Sequence, residues 1–290
     1  MSGPVRRVPD VRYGEILGFR PLELDLYLPL GPDGGVPDHG VPDHGVPDHG
    51  VPNHGGPAAV IVYVHGGGWR RGSRRDPLPL LGADFYDRLA AAGFAVAAID
   101  YRLSGEARFP APLEDVRTAV SWVRDNAAAY GLDAGRVFLW GDSSGGHLAL
   151  LAALTGTKVA GVVAWFPVTD LAGLPSDVAE AGGVPDAGPD SREAQLLGAT
   201  PRSVPSLAGQ ASPVTHAGPD APPVLLMHGA ADDMVPAAQS IRLAEALSAA
   251  GAAVELELVP GATHFWNGAA DVAGIVSRSI GFLRAQASLG

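Results

Sequence analysis

Residues 140–146 read Trp140-Gly141-Asp142-Ser143-Ser144-Gly145-Gly146. An apolar run over 136–140 leads in, and a helix-forming run over 147–154 leads out. Gly141-Asp142-Ser143-Ser144-Gly145 fits G-x-S-x-G, the pattern of a nucleophile elbow, in the strand–turn–helix setting the pattern requires. The turn is tight, and a Cβ on either glycine would crowd the adjoining strand or helix. It lifts the Ser143 hydroxyl clear of the backbone, at a helix N-terminus that favours negative charge. A helix N-cap with packing glycines would use the same letters. Other stretches of the chain decide between the two.

The first is His65-Gly66-Gly67-Gly68-Trp69, which follows a continuous apolar, β-rich run over 58–64. That run reads as a buried parallel strand. Three glycines after it leave backbone N–H groups free to point into a cavity, where they stabilise an alkoxide formed in acyl transfer. His65 reads as a brace for this loop rather than a base. The second stretch is a late strand over 223–228 followed by Gly229-Ala230-Ala231-Asp232-Asp233. A carboxylate there is well placed to orient a histidine. Asp232, first after the strand turn, is favoured, and Asp233 is the alternative. The third is the last strand, 254–259, leading to Gly261-Ala262-Thr263-His264. The chain order Ser143, Asp232, His264 is the order expected of a serine hydrolase built on an elbow.

Composition narrows the classes. The chain has 290 residues, 47% of them hydrophobic, and a net charge of −11; mean hydropathy is +0.14 and pI about 5.1. This suits one large α/β domain and argues against a polyanion-binding surface, so no nucleic-acid partner is expected. The absence of cysteine removes disulfides, thiolate catalysis and cysteine metal ligands. The N-terminal stretch is charged and proline-broken (Arg6, Arg7, Pro9, Asp10, Arg12) without an apolar signal-like run. No stretch is long enough to span a membrane. A cytoplasmic location with no membrane partner is the expectation.

The remaining elements read in order. Residues 11–29 form two strands with a bend over 14–18, and Leu24, Leu26 and Leu28 alternate with Asp25, Tyr27 and Pro29 in a half-buried pattern. Residues 31–56 repeat Val36-Pro37-Asp38-His39-Gly40 and its copies, with too little apolar content for a core element. The recurring His39, His44, His49 and His54 sit in a loop that would lose much entropy in organising a site, so no metal is expected. Helices follow over 78–92 and 112–130, the second amphipathic with Leu113, Val116, Val120 and Val123 on one face. Arg102 is expected to pair with Glu114 or Asp115. Residues 167–213 are rich in Gly, Pro, Asp and Ser and read as an irregular excursion over the active-site end of the sheet. Residues 272–283 close the chain with a helix.

The glycine loop, the elbow, His228-Gly229-Ala230-Ala231-Asp232 with Val235-Pro236, and Gly261-Ala262-Thr263-His264 resemble the α/β-hydrolases of carboxylesterase type. Tyr101-Arg102-Leu103 and Phe109-Pro110 are similar to the hormone-sensitive-lipase-like group and the acetyl/feruloyl-esterase-like branch beside it. Ser104-Gly105 replaces the usual Ala-Pro, and there is no room for a large N-terminal cap. Both departures point to the cap-poor branch. The resemblance implies a single α/β-hydrolase domain over 1–290, with a mostly parallel central sheet flanked by helices. It implies a serine carboxylesterase for small or short-acyl esters, with Ser143 as nucleophile, His264 as base and Asp232 orienting it. By analogy, Gly67, Gly68 and the N–H of Ser144 form the oxyanion hole. No metal or organic cofactor is expected, and the partner is a small-molecule ester. Trp69, Phe166 and Trp266, next to motif residues, are expected to line an apolar substrate pocket, as is Phe265. An arylformamidase-like amidase or a peptidase on the same residues, and a non-catalytic ligand-binding protein of the same fold, are the alternatives.

Overall fold

A computed structural model describes residues 5–30 and 56–288. The expected repeat loop, apart from the exposed Gly56, lies outside the described residues. The strands are β1 (Val5–Gly14), β2 (Leu22–Pro29), β3 (Ala58–Val64), β4 (Ala95–Ile99), β5 (Leu132–Asp142), β6 (Gly161–Trp165), β7 (Val224–Gly229) and β8 (Val254–Val259). They form one eight-stranded sheet in the order β1-β2-β4-β3-β5-β6-β7-β8. β1 and β2 pair antiparallel and β2 joins β4 antiparallel; from β4 to β8 every pairing is parallel. The helices are α1 (Phe85–Ala91), α2 (Ala111–Asp125), α3 (Ala127–Tyr130), α4 (Ser144–Leu154), α5 (Leu174–Glu180), α6 (Arg192–Leu197), α7 (Pro205–Gln210), α8 (Ala238–Ala249) and α9 (Val272–Ala287). Among the described residues, none precedes β3.

The two-residue period of a strand divides the core in two. In β3, Ala58, Val60, Val62 and Val64 face one apolar layer with α2, α4 and α8. Ala59, Ile61 and Tyr63 face the other, with α1 and α9. Each fully buried Val, Leu or Ile contributes roughly 1.5–3 kcal/mol relative to exposure. α4 is buried from Ser144 to Ala153, as expected of a helix apolar on all sides. α2 keeps its expected apolar face. It also buries Asp115, whose carboxylate accepts from the Arg102 backbone N–H at 2.8 Å and from its guanidinium at 2.6 Å.

Two local expectations are corrected. The helix over 78–92 is a 3₁₀ turn at Pro79–Leu81 followed by α1. Gly82, at φ 80°, turns the chain between them. Asp25, read as lying on the open face of its strand, is 5% exposed. Arg74 and Arg75 reach it, each at 2.8 Å, so the carboxylate is buried with its counter-charges.

Strand register sets where the loops emerge. Val64 lies opposite Gly141, Asp142 opposite Trp165, Trp165 opposite Met227, and Gly229 opposite Val259. The glycine loop, Ser143, Asp232 and His264 all follow these positions in the chain. All four therefore leave the sheet at the C-terminal ends of neighbouring parallel strands, the usual ligand-binding end of an open α/β sheet.

Candidate active site

Ser143 occupies the turn between β5 and α4 at φ 50° and ψ −118°. Its N–H donates to the Trp165 carbonyl at 2.9 Å, and its own carbonyl accepts from His147 N–H at 2.9 Å. Its side chain makes no cap bond to α4, which excludes the N-cap alternative. The glycines are required by contact. A Cβ on Gly141 would stand 2.4 Å from the Gly145 carbonyl carbon, and one on Gly145 would stand 2.0 Å from the Val64 oxygen. Among the described residues, six non-glycine residues have positive φ: Asp10, Trp69, Ser143, Phe166, Phe265 and Trp266. All but Asp10 belong to the loops at this end of the sheet.

The structure brings Ser143, His264 and Asp232 together. His264 Nε2 lies 3.1 Å from Ser143 Oγ, and its Nδ1 lies 2.6 Å from Asp232 Oδ2. All three are buried, at 5%, 3% and 3% exposure for Ser143, Asp232 and His264. Asp233 is exposed, so of the two candidate carboxylates only Asp232 meets the imidazole. Its other oxygen accepts from Met234 N–H at 3.0 Å and Val235 N–H at 2.9 Å. Burial alone would raise the Asp232 pKa. Hydrogen bonds from His228, His264 and Val235 overcome this and hold the carboxyl well below the ordinary range. Burial lowers the His264 pKa, against the opposing pull of Asp232. His264 is thus a neutral imidazole at neutral pH, its Nδ1–H donated to Asp232 and its Nε2 lone pair facing the hydroxyl. That arrangement can take a proton from the serine.

Gly68 and Ser144 wall a cavity of about 10 Å³ at Ser143, together with Trp69, Val168, Arg192, Glu193 and Val235. Gly67 instead borders an open groove of about 930 Å³ on the other side of the loop, with Arg71, Leu78, Phe265 and Asn267 among its walls. Ser143 and His264 do not line that groove. The loop is braced from below. Asp142 accepts from Tyr63 OH at 2.8 Å and from Gly66 N–H at 3.2 Å. Burial pushes its carboxyl pKa up to about 6. His65 stacks on Tyr101 with ring centres 4.3 Å apart.

The aromatic residues divide. Trp69 does wall the small cavity, but it is 1% exposed and its indole N–H donates to His147 Nδ1 at 3.2 Å. Burial lowers the His147 pKa to about 4, so its ring stays a neutral acceptor. Phe166 and Trp266, expected to line a substrate pocket, are both 0% exposed. This is a correction: their positive φ values turn them inward, where Phe166 packs on His264 at 4.6 Å and on Trp266 at 4.8 Å. They fix the imidazole from behind. Phe265 does border the groove.

Sequence reasoning missed Arg192 and Glu193, which α6 brings to the small cavity, and His228 beneath Asp232. For His228 a signal existed: it ends the strand that Asp232 follows. For Arg192 there was none, since an Arg-Glu pair in a Gly- and Pro-rich tract reads as solvated surface.

A mostly parallel sheet with a serine on the tight turn after an inner strand, and helices on both faces, defines an α/β-hydrolase. Residues 50–247 match the sequence profile of the BD-FAE family, and the chain belongs to that family. It is 34% identical over 224 residues to Esterase LipQ of Mycobacterium tuberculosis (strain ATCC 25618 / H37Rv), covering 74% of this chain and 52% of that one. It is 31% identical over 232 residues to the Ethyl acetate hydrolase of Pseudomonas putida, covering 71% and 65%. The chain therefore spans about half the length of the mycobacterial relative it matches. Among solved structures, a truncated carbohydrate esterase from gut microbiota superposes with a TM-score of 0.77 at 28% identity, covering 98% of this chain and 96% of that one. Among the described residues, no helix is long and apolar enough to cross a membrane.

Proposed function

We propose that the chain is a serine carboxylesterase that hydrolyses small or short-acyl esters through an acyl-Ser143 intermediate. The observation that carries this reading is the unbroken hydrogen-bonded line from Ser143 Oγ through His264 to Asp232. In this reading His264 Nε2 takes the hydroxyl proton as Ser143 Oγ attacks the ester carbonyl carbon. Asp232 holds the imidazole tautomer and stabilises the imidazolium. The tetrahedral oxyanion is received by the N–H groups of Gly67, Gly68 and Ser144. His264 then protonates the departing alkoxide, and water activated by the same imidazole releases the acid from the acyl-serine.

The small cavity supports short acyl groups. Its free volume of about 10 Å³ is close to the space of one water molecule. Trp69, Val168 and Val235 form its apolar walls. The names of the relatives, an esterase and an ethyl acetate hydrolase, point the same way. The contributing residues run from the glycine loop to His264, so the proposed working unit is the whole α/β domain. Hydrolysis of a p-nitrophenyl ester chain-length series tests the proposal. The expected result is turnover greatest for acetate and absent in Ser143→Ala; no turnover at any chain length, or turnover that survives the substitution, overturns it.

A further inference from the structure

Among the described residues, the guanidinium groups of Arg70, Arg71 and Arg192 have no hydrogen-bond or ion-pair partner. Nearby Arg74 and Arg75 contrast with them. Both are held by Asp10 and Asp25, and Arg74 also by Glu23 and Asp100. Arg70 and Arg71 are exposed, and water solvates their charge. Arg192 is different because it is partly buried and lies on the glycine loop. A Cβ on Gly68 would stand 2.6 Å from its Cδ.

Arg192 walls both the small cavity at Ser143 and an adjoining cavity of about 290 Å³. Its charge reaches His264, whose pKa it helps to lower. The carboxyls of Glu193, Asp186 and Asp233 share the walls of the adjoining cavity; none makes a hydrogen bond or close ion pair with Arg192, although its charge acts on Glu193. Glu193 is itself 5% exposed, and burial raises its pKa against the opposing charge of Arg192. A partly buried guanidinium whose N–H groups bond no carboxylate leaves its donors open to one. Its planar fork matches a carboxylate, which it can bind through two parallel hydrogen bonds.

We propose that Arg192 is a specificity-determining residue and that the preferred substrates are esters carrying a carboxylate on their acyl or alcohol part. The proposal rests on the esterase reading of the Ser143 site. Its test is binding, measured without turnover, in the Ser143→Ala protein. Calorimetry compares 4-acetoxybenzoate with 4-acetoxybenzamide for an anion on the alcohol side. It compares p-nitrophenyl hydrogen adipate with p-nitrophenyl hexanoate for one on the acyl side. The expected result is tighter binding of the anionic member in at least one pair, a preference that falls about tenfold on adding Arg192→Gln. Arg192→Lys keeps the charge and is expected to retain part of the preference. Arg202→Gln, an exposed arginine outside both cavities, is expected to leave it intact. No preference for the anion in either pair, or one that survives Arg192→Gln, overturns the proposal. Hydrolysis of p-nitrophenyl acetate by the unaltered protein separately decides whether the esterase reading stands.

Discussion

His228 and His264 converge on one oxygen of Asp232: His264 Nδ1 at 2.6 Å and His228 Nε2 at 3.5 Å. His228 also ties the turn to its surroundings, with Nδ1 2.7 Å from Ser240 Oγ on α8 and Nε2 2.6 Å from the Val235 carbonyl. The aspartate is thus clamped between a histidine facing the serine and another facing the helix. His228→Phe keeps a planar ring but strands the Ser240 hydroxyl and the Val235 carbonyl, each at a cost of about 1–3 kcal/mol. Thermal unfolding is expected to fall by about 2–4 °C for each kcal/mol lost. kcat on p-nitrophenyl acetate is expected to fall with it as the carboxylate loses its hold. An unchanged melting temperature would remove His228 from this role.

Asp232→Asn preserves the shape of the turn, since the amide oxygen still accepts from Met234 and Val235. It removes the charge that fixes the imidazole tautomer. kcat is expected to drop on the order of 10³–10⁴-fold with the circular dichroism spectrum unchanged. Asp233→Asn, on an exposed side chain, is expected to stay within about twofold of the unaltered protein. The reverse ranking would assign the orienting role to Asp233.

The pH profile follows from His264. Burial lowers its pKa, so the acid limb of kcat/KM is expected to have its midpoint below about 6.5, the ordinary histidine value. The sign for stability is the same. A group whose folded pKa is depressed contributes stability above its unfolded pKa and loses it as pH falls through the folded value. A limb centred at or above pH 7 would contradict the buried, neutral imidazole.

Asp142 runs the other way. Its folded pKa of about 6 lies above the unfolded value of 3.8. The folded state therefore binds the proton more tightly, and that stabilisation is lost as pH rises from about 4 through about 6. The loss is on the order of 3 kcal/mol by pH 8. Asp142→Asn can still accept from Tyr63 and Gly66 but does not titrate. Its stability relative to the unaltered protein is expected to rise between pH 4.5 and pH 8 in urea unfolding. A difference independent of pH would mean that Asp142 titrates near its ordinary value.

Much of this site is legible in the chain because its signals are local. Ser143 is bracketed by glycines, Asp232 follows a buried apolar strand and His264 an alternating one, and strand order brings the three loops to one end of the sheet. What is illegible depends on distant partners. Asp25 reads as an open-face residue until Arg74, far along the chain, is seen to reach it. Phe166 and Trp266 carry the same letters whether they line a pocket or back an imidazole, and only their left-handed backbone decides. The helix over 78–92 breaks at Gly82, where a turn outweighs the apolar pattern on either side. Arg192 depends on where α6 lands, and nothing in six residues encodes contact with Gly68.

The excursion after β6 begins at Phe166, past Trp165 opposite Met227, and the chain rejoins the sheet at Val224, opposite Val162. Its two ends are therefore anchored on neighbouring strands, at opposite ends of their paired stretch. Closing such a loop depends only weakly on its length. Arg192 and Glu193 lie on α6 within that segment, outside the strands whose ends lead to Ser143, Asp232 and His264. Under the proposed roles, the residue that selects the substrate and the residues that cleave it lie in different stretches of the chain.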